Sequence, residues 1–186
     1  MICYSCNEAV SGPVCVGCSA LQPPGLALDP FVLLGVPRRF HLDGAKIDEG
    51  YRSMAKRVHP DKFAARPAVE RRMSLQWTAS LNEARRVLKD PDKRARLLAT
   101  GQAEPREKGG PKLDPAFLAE IFDWREQDEE SPGALSDLAR VREGDLRAEL
   151  DTIFTAWESG AGDLTLVEDR LARLKYVTGL VREHVS

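Results

Sequence analysis

Two runs of apolar residues with helical spacing, the first of them stopped by Pro60, leave this chain little choice but a helical hairpin. Ile47, Tyr51, Met54 and Val58 recur at offsets of four, three and four, the period of one helical face, and Asp43 stands at an N-cap position. Pro60 disfavours helical dihedrals at His59 and ends the first helix there. Met73, Trp77, Leu81, Ala84 and Leu88 then repeat the spacing, so a second helix of similar length folds back antiparallel on the first. His59, Pro60 and Asp61 form the polar tip of that hairpin. Such a tip reads as an interaction surface rather than a catalytic one.

Charge is distributed in two opposite blocks. Residues 30–98 hold 16 Lys and Arg against 8 Asp and Glu, a net of +8, whereas residues 113–186 hold 8 against 17, a net of −9. The near-neutral total hides two modules of opposite sign. A basic module can mean nucleic acid, but these basic groups surround an acidic-tipped hairpin and lack interleaved exposed aromatics, which favours an acidic protein surface as the partner. Few aromatics and no β-branched runs leave no basis for a sheet, so the chain is expected to be all-α. No apolar span is long enough to cross a membrane, and Arg38 is the first Lys or Arg, so neither a signal peptide nor an Arg-rich presequence is expected. An enzyme is not expected either. His41, His59 and His184 have no metal-ligand or triad spacing, and no glycine-rich phosphate loop follows a strand.

The four cysteines all fall within the first eighteen residues, as Cys3-x2-Cys6 and Cys15-x2-Cys18 separated by eight residues. Each pair can form a knuckle, and Gly12, Pro13 and Gly17 can turn the chain so that both pairs close around one ion. Four thiolates on a divalent metal suit structural zinc best, and metal binding would fold a piece too small to build its own core. Disulfides, a redox pair and an iron or iron–sulfur species remain alternatives on spacing alone. Pro23, Pro24 and Gly25 mark a linker into the hairpin region.

Beyond Leu98, the stretch from Thr100 to Lys112 has three glycines, two prolines and no apolar period, and reads as a connector. Three helices are expected after it: one opened by Asp114-Pro115 and running to about Glu130, one from Pro132 to about Trp157, and a last one capped by Asp163. The second helix carries Leu146, Leu150, Ile153 and Trp157 on one face, and the third carries Val167, Leu171, Leu174 and Val181 on its core side. In the first, Phe117, Ile121 and Trp124 form a core stripe, while Leu118 and Phe122 project away from it beside Asp123, Glu126 and Glu130. That second stripe reads either as a wide buried face with a charged edge or as a binding surface.

The hairpin resembles the J-domain of DnaJ-type co-chaperones over about 70 residues, from Asp29 to Leu98. Asp29-Pro30-Phe31-Val32-Leu33-Leu34-Gly35 matches the short first helix, His59-Pro60-Asp61-Lys62 the loop, and Leu81-Asn82-Glu83-Ala84 with Asp90-Pro91 the end of the third helix. With Asp114-Pro115-Ala116-Phe117-Leu118, Glu120, Arg125-Glu126 and Arg173-Leu174-Lys175-Tyr176, nearly all the chain after residue 28 resembles the iron–sulfur cluster co-chaperones of the HscB type. The domains expected are a tetracysteine metal-binding, zinc-knuckle-like segment at 1–20, a linker at 21–28, a J-domain at 29–99, a linker at 100–112 and a three-helix bundle at 113–186.

The resemblance implies a non-enzymatic co-chaperone that stimulates the ATPase of a DnaK- or HscA-type chaperone through its J-domain. The chaperone-facing residues would be Arg52, Lys56, Arg57, His59, Pro60, Asp61 and Lys62. The bundle would carry an IscU-type scaffold, on which iron–sulfur clusters are built, through Leu118, Phe122, Asp123, Glu126 and Tyr176. An adaptor for a different client, with the bundle as a general interaction module, is the alternative, and self-association is left open. Ala119 stands where some members carry a larger apolar residue, which shrinks the apolar patch. The metal ligands would be Cys3, Cys6, Cys15 and Cys18, in a segment that many bacterial members lack and that resembles the N-terminal segment of eukaryotic ones. Bacterial cytoplasm is the expected location, with the mitochondrial matrix as the alternative.

Overall fold

The computed structural model describes residues 1–25, 28–105 and 113–183. His184 and parts of both expected linkers lie outside the described residues. Seven α-helices are described: α1 (Pro30–Leu34), α2 (Gly44–Val58), α3 (Ala68–Lys89), α4 (Pro91–Thr100), α5 (Pro115–Glu130), α6 (Ala134–Glu158) and α7 (Val167–Glu183). The fold is all-α, and the described residues contain isolated β-bridges but no strand. Contacts divide the chain into two compact units, Met1–Pro91 and Asp92–Ser186.

In the first unit, carboxylates cap α1 and α2, and Asp43 does so as the sequence suggests. Asp29 accepts the Phe31 amide at 2.8 Å and Asp43 accepts the Ala45 amide at 2.8 Å, each satisfying an N–H that has no partner within its helix. Gly35 ends α1 in the left-handed region, at φ 64°, where its amide reaches the Phe31 and Val32 carbonyls. α2 and α3 run antiparallel. Asp48 pairs with Lys89 and Arg85, Tyr51 donates to Asn82, and Ser74 donates to the Val58 carbonyl, so partners descend along one helix as they ascend the other. Phe31, Ile47, Val58, Trp77, Leu81 and Leu88 fill the core.

α1 crosses α2 very closely at Gly50. A Cβ built there would lie 2.0 Å from the Leu34 carbonyl oxygen, a backbone atom that cannot swing aside. Gly to Ala in a helix interior normally stabilises by about 1 kcal/mol. Here steric strain dominates, and Gly50→Ala is expected to lower stability by ~1–3 kcal/mol, the usual range for overpacking. Urea denaturation of the two proteins checks this, and an unchanged or raised midpoint would show that α1 can withdraw freely.

Asp48 makes two 2.7 Å contacts, with Lys89 and Arg85, and those hydrogen bonds hold its carboxyl at about 2, below its ordinary 3.8. A carboxyl depressed in the folded state stabilises it above the unfolded value, and the contribution is lost as pH falls through the folded one. The melting temperature of the wild-type protein should therefore drop more steeply between pH 4 and pH 2 than that of Asp48→Asn. Parallel pH slopes in thermal melts would contradict this.

In the second unit, α5 is capped by Asp114 and buries Phe117, Ile121 and Trp124, the expected core stripe. The turn into α6 passes through Gly133 at φ 100°, and Asp128 accepts the Gly133 and Leu135 amides. α6 buries Leu146, Leu150 and Phe154, and α7 buries Val167, Leu171, Leu174, Val177 and Leu180. Ile153 and Trp157, expected on one face with Leu146 and Leu150, and Val181, expected on the core side of α7, are only half-buried. Phe154 sits a full turn beyond Leu150 and continues its row more closely than Ile153, while Ile153 lines an open cleft with Leu166. Asp163 caps Thr165 in the turn before α7 rather than the helix itself. α4 is tied into this unit by Arg96–Glu168 at 2.9 Å and Asp92–Arg147 at 3.5 Å. Among the described residues, no helix is long and apolar enough to cross a membrane.

Candidate functional site

The hairpin loop is short, exposed and internally bonded. His59 ends α2 with extended backbone, and Pro60–Phe63 follow as one 3-10 turn. The His59 carbonyl accepts the Lys62 amide at 3.0 Å, and its Nδ1 accepts the Asp61 amide at 3.3 Å. Phe63 is buried and pins the far end of the turn. The His59 and Asp61 side chains are 55% and 90% exposed, so both are free to meet a partner. Arg52, Lys56, Arg57 and Lys62 are exposed around them, and Pro60 is half-buried. Arg57 differs from the other basic residues in its surroundings, because its guanidinium lies 2.9 Å from the Cβ position of Gly12.

Ser74 was not legible as part of this loop. Its hydroxyl donates to the Val58 carbonyl at 2.6 Å from a fully buried position. That carbonyl belongs to the last turn of α2, where Pro60 and the 3-10 turn offer no helical donor. The signal was present as polar residues, Glu70 and Ser74, in phase with the core residues Trp77 and Leu81.

On α5, Leu118, Phe122 and Glu126 follow one another at four-residue intervals and so share a stripe, with Asp123 beside it. Phe122 is 67% exposed, Leu118 is half-buried, and Asp123 and Glu126 are exposed. Tyr176 of α7 is half-buried and packs edge-on to Phe117, with ring centroids 6.2 Å apart. Arg173 fixes that junction. Its guanidinium sits 5.2 Å above the Phe117 ring and pairs with Asp169 at 2.9 Å and Asp114 at 3.4 Å. The result is an apolar aromatic on a rigid helix, rimmed by carboxylates.

The four cysteines come together through two similar knuckles. In the first, the Cys3 amide donates to the Glu8 carbonyl and Asn7 turns at φ 60°; in the second, the Cys15 amide donates to the Ala20 carbonyl and Ser19 turns at φ 60°. Bridges Ile2–Ala9 and Val14–Leu21 close the two loops. All four sulfurs lie within 4.8 Å of one another, with Cys3–Cys18 and Cys6–Cys15 at 3.6 Å. Tetrahedral zinc with Zn–S bonds near 2.3 Å needs sulfurs about 3.8 Å apart, so the cluster fits a four-thiolate metal ion. The donor environment agrees. Burial opposes ionisation of Cys3, but the amides of Cys6 and Ser5 and the thiols of Cys18 and Cys6 outweigh it and bring the thiol down to about 6. The Glu8 amide favours ionisation of Cys6, yet burial and the three neighbouring thiols push it up to about 12. Crowded thiols of this kind shed their protons together only when a cation neutralises them.

Cys15 is buried and supplies one of the four sulfurs. Cys15→Ser is expected to reduce bound metal to a small fraction of the wild-type ratio, measured by elemental analysis of purified protein. An unchanged ratio would mean that the four sulfurs do not hold the ion.

Residues 29–97 match the DnaJ domain, and residues 113–183 match the HSCB C-terminal oligomerisation domain. The co-chaperone protein HscB homolog of Bordetella pertussis is 43% identical over 99 residues, 53% of this chain and 58% of the relative. That alignment therefore spans little more than half of the relative's length. The homolog of Ralstonia nicotianae is 32% identical over 159 residues, covering 82% of this chain and 90% of the relative. Among solved structures, human co-chaperone protein HscB superposes with a TM-score of 0.79 at 24% identity, covering 100% of this chain and 97% of that one, a likeness of fold that extends over the cysteine segment. A J-type hairpin with an exposed His59-Pro60-Asp61 tip, a C-terminal helical unit of the HscB kind and a relative aligned over nine-tenths of its length together show that the chain belongs to the HscB co-chaperone family.

Proposed function

We propose that this protein stimulates the ATPase of a DnaK- or HscA-type chaperone through the His59-Pro60-Asp61 turn and presents to it an IscU-type iron–sulfur scaffold carried on the C-terminal unit. The observation that carries this reading is the exposed turn, held rigidly at the end of a packed hairpin and flanked by cations. Asp61 can accept charge-assisted hydrogen bonds from a chaperone arginine, while Arg52, Lys56 and Lys62 attract the acidic partner surface. Complementary charge of this kind acts mainly on encounter rate and orientation. Leu118 and Phe122 supply apolar contact for the scaffold, Asp123 and Glu126 its charged rim, and Tyr176 an aromatic edge from α7. The iron–sulfur cluster is cargo on the scaffold.

Zinc is the ion proposed for Cys3, Cys6, Cys15 and Cys18, because four thiolates in a closed tetrahedral site suit a redox-inert structural ion. The bacterial cytoplasm is the proposed location, in keeping with the bacterial relatives. The protein would drive hydrolysis by its partner and carry out none itself.

Steady-state ATP hydrolysis by a DnaK-family chaperone, with this protein present and with or without the scaffold, tests the proposal. Stimulation by this protein that rises synergistically with scaffold supports both halves. Stimulation indifferent to scaffold would retain the J-domain role and transfer the bundle to a different client.

A further inference from the structure

One face of α3 joins the cysteine segment to the hairpin loop. Glu70, Ser74 and Trp77 follow at helical spacing and all are buried; Glu70 and Trp77 bond the adjacent residues Leu21 and Gln22, and Ser74 bonds the end of α2. Glu70, 5% exposed, accepts the Leu21 amide at 3.1 Å and lies 3.5 Å from Arg66. Trp77 donates its indole N–H to the Gln22 carbonyl at 2.8 Å. Ser74, between them, holds the Val58 carbonyl immediately before His59.

On the cysteine side, Gln22 is 1% exposed and closes the circuit. Its Nε2 donates to the Cys3 sulfur at 3.3 Å and its Oε1 accepts the Tyr4 amide at 3.3 Å. Arg66, between the 3-10 turn and α3, donates to the Ser19 carbonyl at 2.8 Å. Arg57, in the last turn of α2, lies over Gly12. The segment therefore touches both chain ends that enter and leave the His59-Pro60-Asp61 turn.

We infer that metal binding by the four cysteines and the conformation of the His59-Pro60-Asp61 turn are thermodynamically coupled through Gln22, Glu70, Ser74 and Trp77, which act as positioning residues for both sites. The physical reason is that both knuckles are ordered around one ion and have too little apolar surface to hold their shape alone. When the ion leaves, the Leu21 amide and Gln22 carbonyl are no longer presented to α3. Glu70 then remains as a buried carboxylate with Arg66 as its ion partner, and buried charge with an incomplete hydrogen-bond set is costly. The start of α3 and the turn it anchors relax together. Linkage is reciprocal, so weakening the attachment on α3 must weaken metal binding by the same factor.

The test uses full-length protein loaded with zinc or stripped of it. Two readings are taken: zinc affinity by competition with a chromophoric chelator, and amide hydrogen exchange over residues 57–77. Glu70→Met keeps side-chain bulk but removes the acceptor, Glu70→Gln restores an acceptor, and Trp77→Phe keeps a core ring but removes the indole N–H. Glu70→Met and Trp77→Phe are expected to bind zinc with unchanged stoichiometry but about 5- to 150-fold more weakly, the usual span of a coupling energy, with Glu70→Gln recovering most of the loss. Stripping zinc from wild-type protein should speed exchange across residues 57–66 while α6 and α7 stay protected. Wild-type zinc affinity in both Glu70→Met and Trp77→Phe, or no change in exchange over 57–66 on stripping, overturns the coupling. The functional consequence rests on the proposed chaperone role, and is read separately as a raised half-saturating concentration of stripped protein in the ATPase assay. Coupling in the first two readings without chaperone stimulation would leave the inference standing and remove the proposed function instead.

Discussion

His59→Gln is expected to abolish the proposed chaperone stimulation while leaving the protein folded and its C-terminal unit able to bind the proposed scaffold. The side chain is more than half exposed, and its intramolecular polar contacts are local, to the Asp61 amide and carboxylate. Exposed substitutions of this kind ordinarily change stability by no more than about 0.5 kcal/mol. The neighbouring supports are independent of the imidazole: Ser74 still holds Val58, Phe63 is still buried, and Lys62 still bonds to the His59 carbonyl. What changes is the group offered to the chaperone and the hydrogen bond that orients Asp61. One lost hydrogen bond to a charged group is worth roughly 1.5–3 kcal/mol, or about 10- to 150-fold in complex stability. The expected measurement is ATP turnover close to basal at the concentration where wild type gives half its full stimulation, with an unshifted thermal melt. Wild-type stimulation by the variant at that concentration would remove His59 from the docking group, and loss of scaffold binding would show that the two functions are not separable.

The hairpin was legible because its two helices have strong periodicity and an unambiguous stop. Asp43 and Asp114 cap the helices expected of them, and Phe117, Ile121 and Trp124 form the expected buried stripe. The choice of core residue went astray where neighbouring positions offer competing apolar side chains. Ile153 and Phe154 differ by only 100° around α6, and the choice between them depends on where α5 and α7 pack. Val181 lost its place to Val177 and Leu180 for the same reason. The cysteine cluster could be read from spacing, but its attachment to α3 could not. Glu70, Ser74 and Gln22 are polar residues in buried positions, and a polar residue discloses its partner only when sequence-distant backbone groups arrive beside it. The close passage at Gly50 was hidden in the same way, since a glycine in a helix gives no sign of which backbone lies against it.

Leu118→Ser combined with Phe122→Ser should weaken scaffold binding by about two to three orders of magnitude while leaving the C-terminal unit cooperatively folded. The first part follows from the apolar area offered. Burying a Leu or Phe side chain in an interface is worth roughly 1.5–3 kcal/mol, and the pair together about 3–5 kcal/mol before partner rearrangement. The second part follows from where these side chains stand. Phe122 is 67% exposed, and Leu118 is half-buried, whereas the interior contacts of α5 belong to Phe117, Ile121 and Trp124. Arg173 and Tyr176 grip Phe117 and not the outer stripe, so the α5–α7 junction survives. The alternative from sequence, a wide buried face with a charged edge, makes the opposite forecast: a lost or broadened melting transition, because two core side chains would have become hydroxyls. Replacing Asp123 and Glu126 by Asn and Gln should act differently again. Rim charges govern encounter more than residence, so that variant should mainly lower the association rate and flatten its dependence on salt. Binding kinetics measured at two ionic strengths, alongside thermal melts, separate these cases: a slower on-rate for the charge variant and a faster off-rate for the apolar one would assign the carboxylates and Phe122 their separate roles.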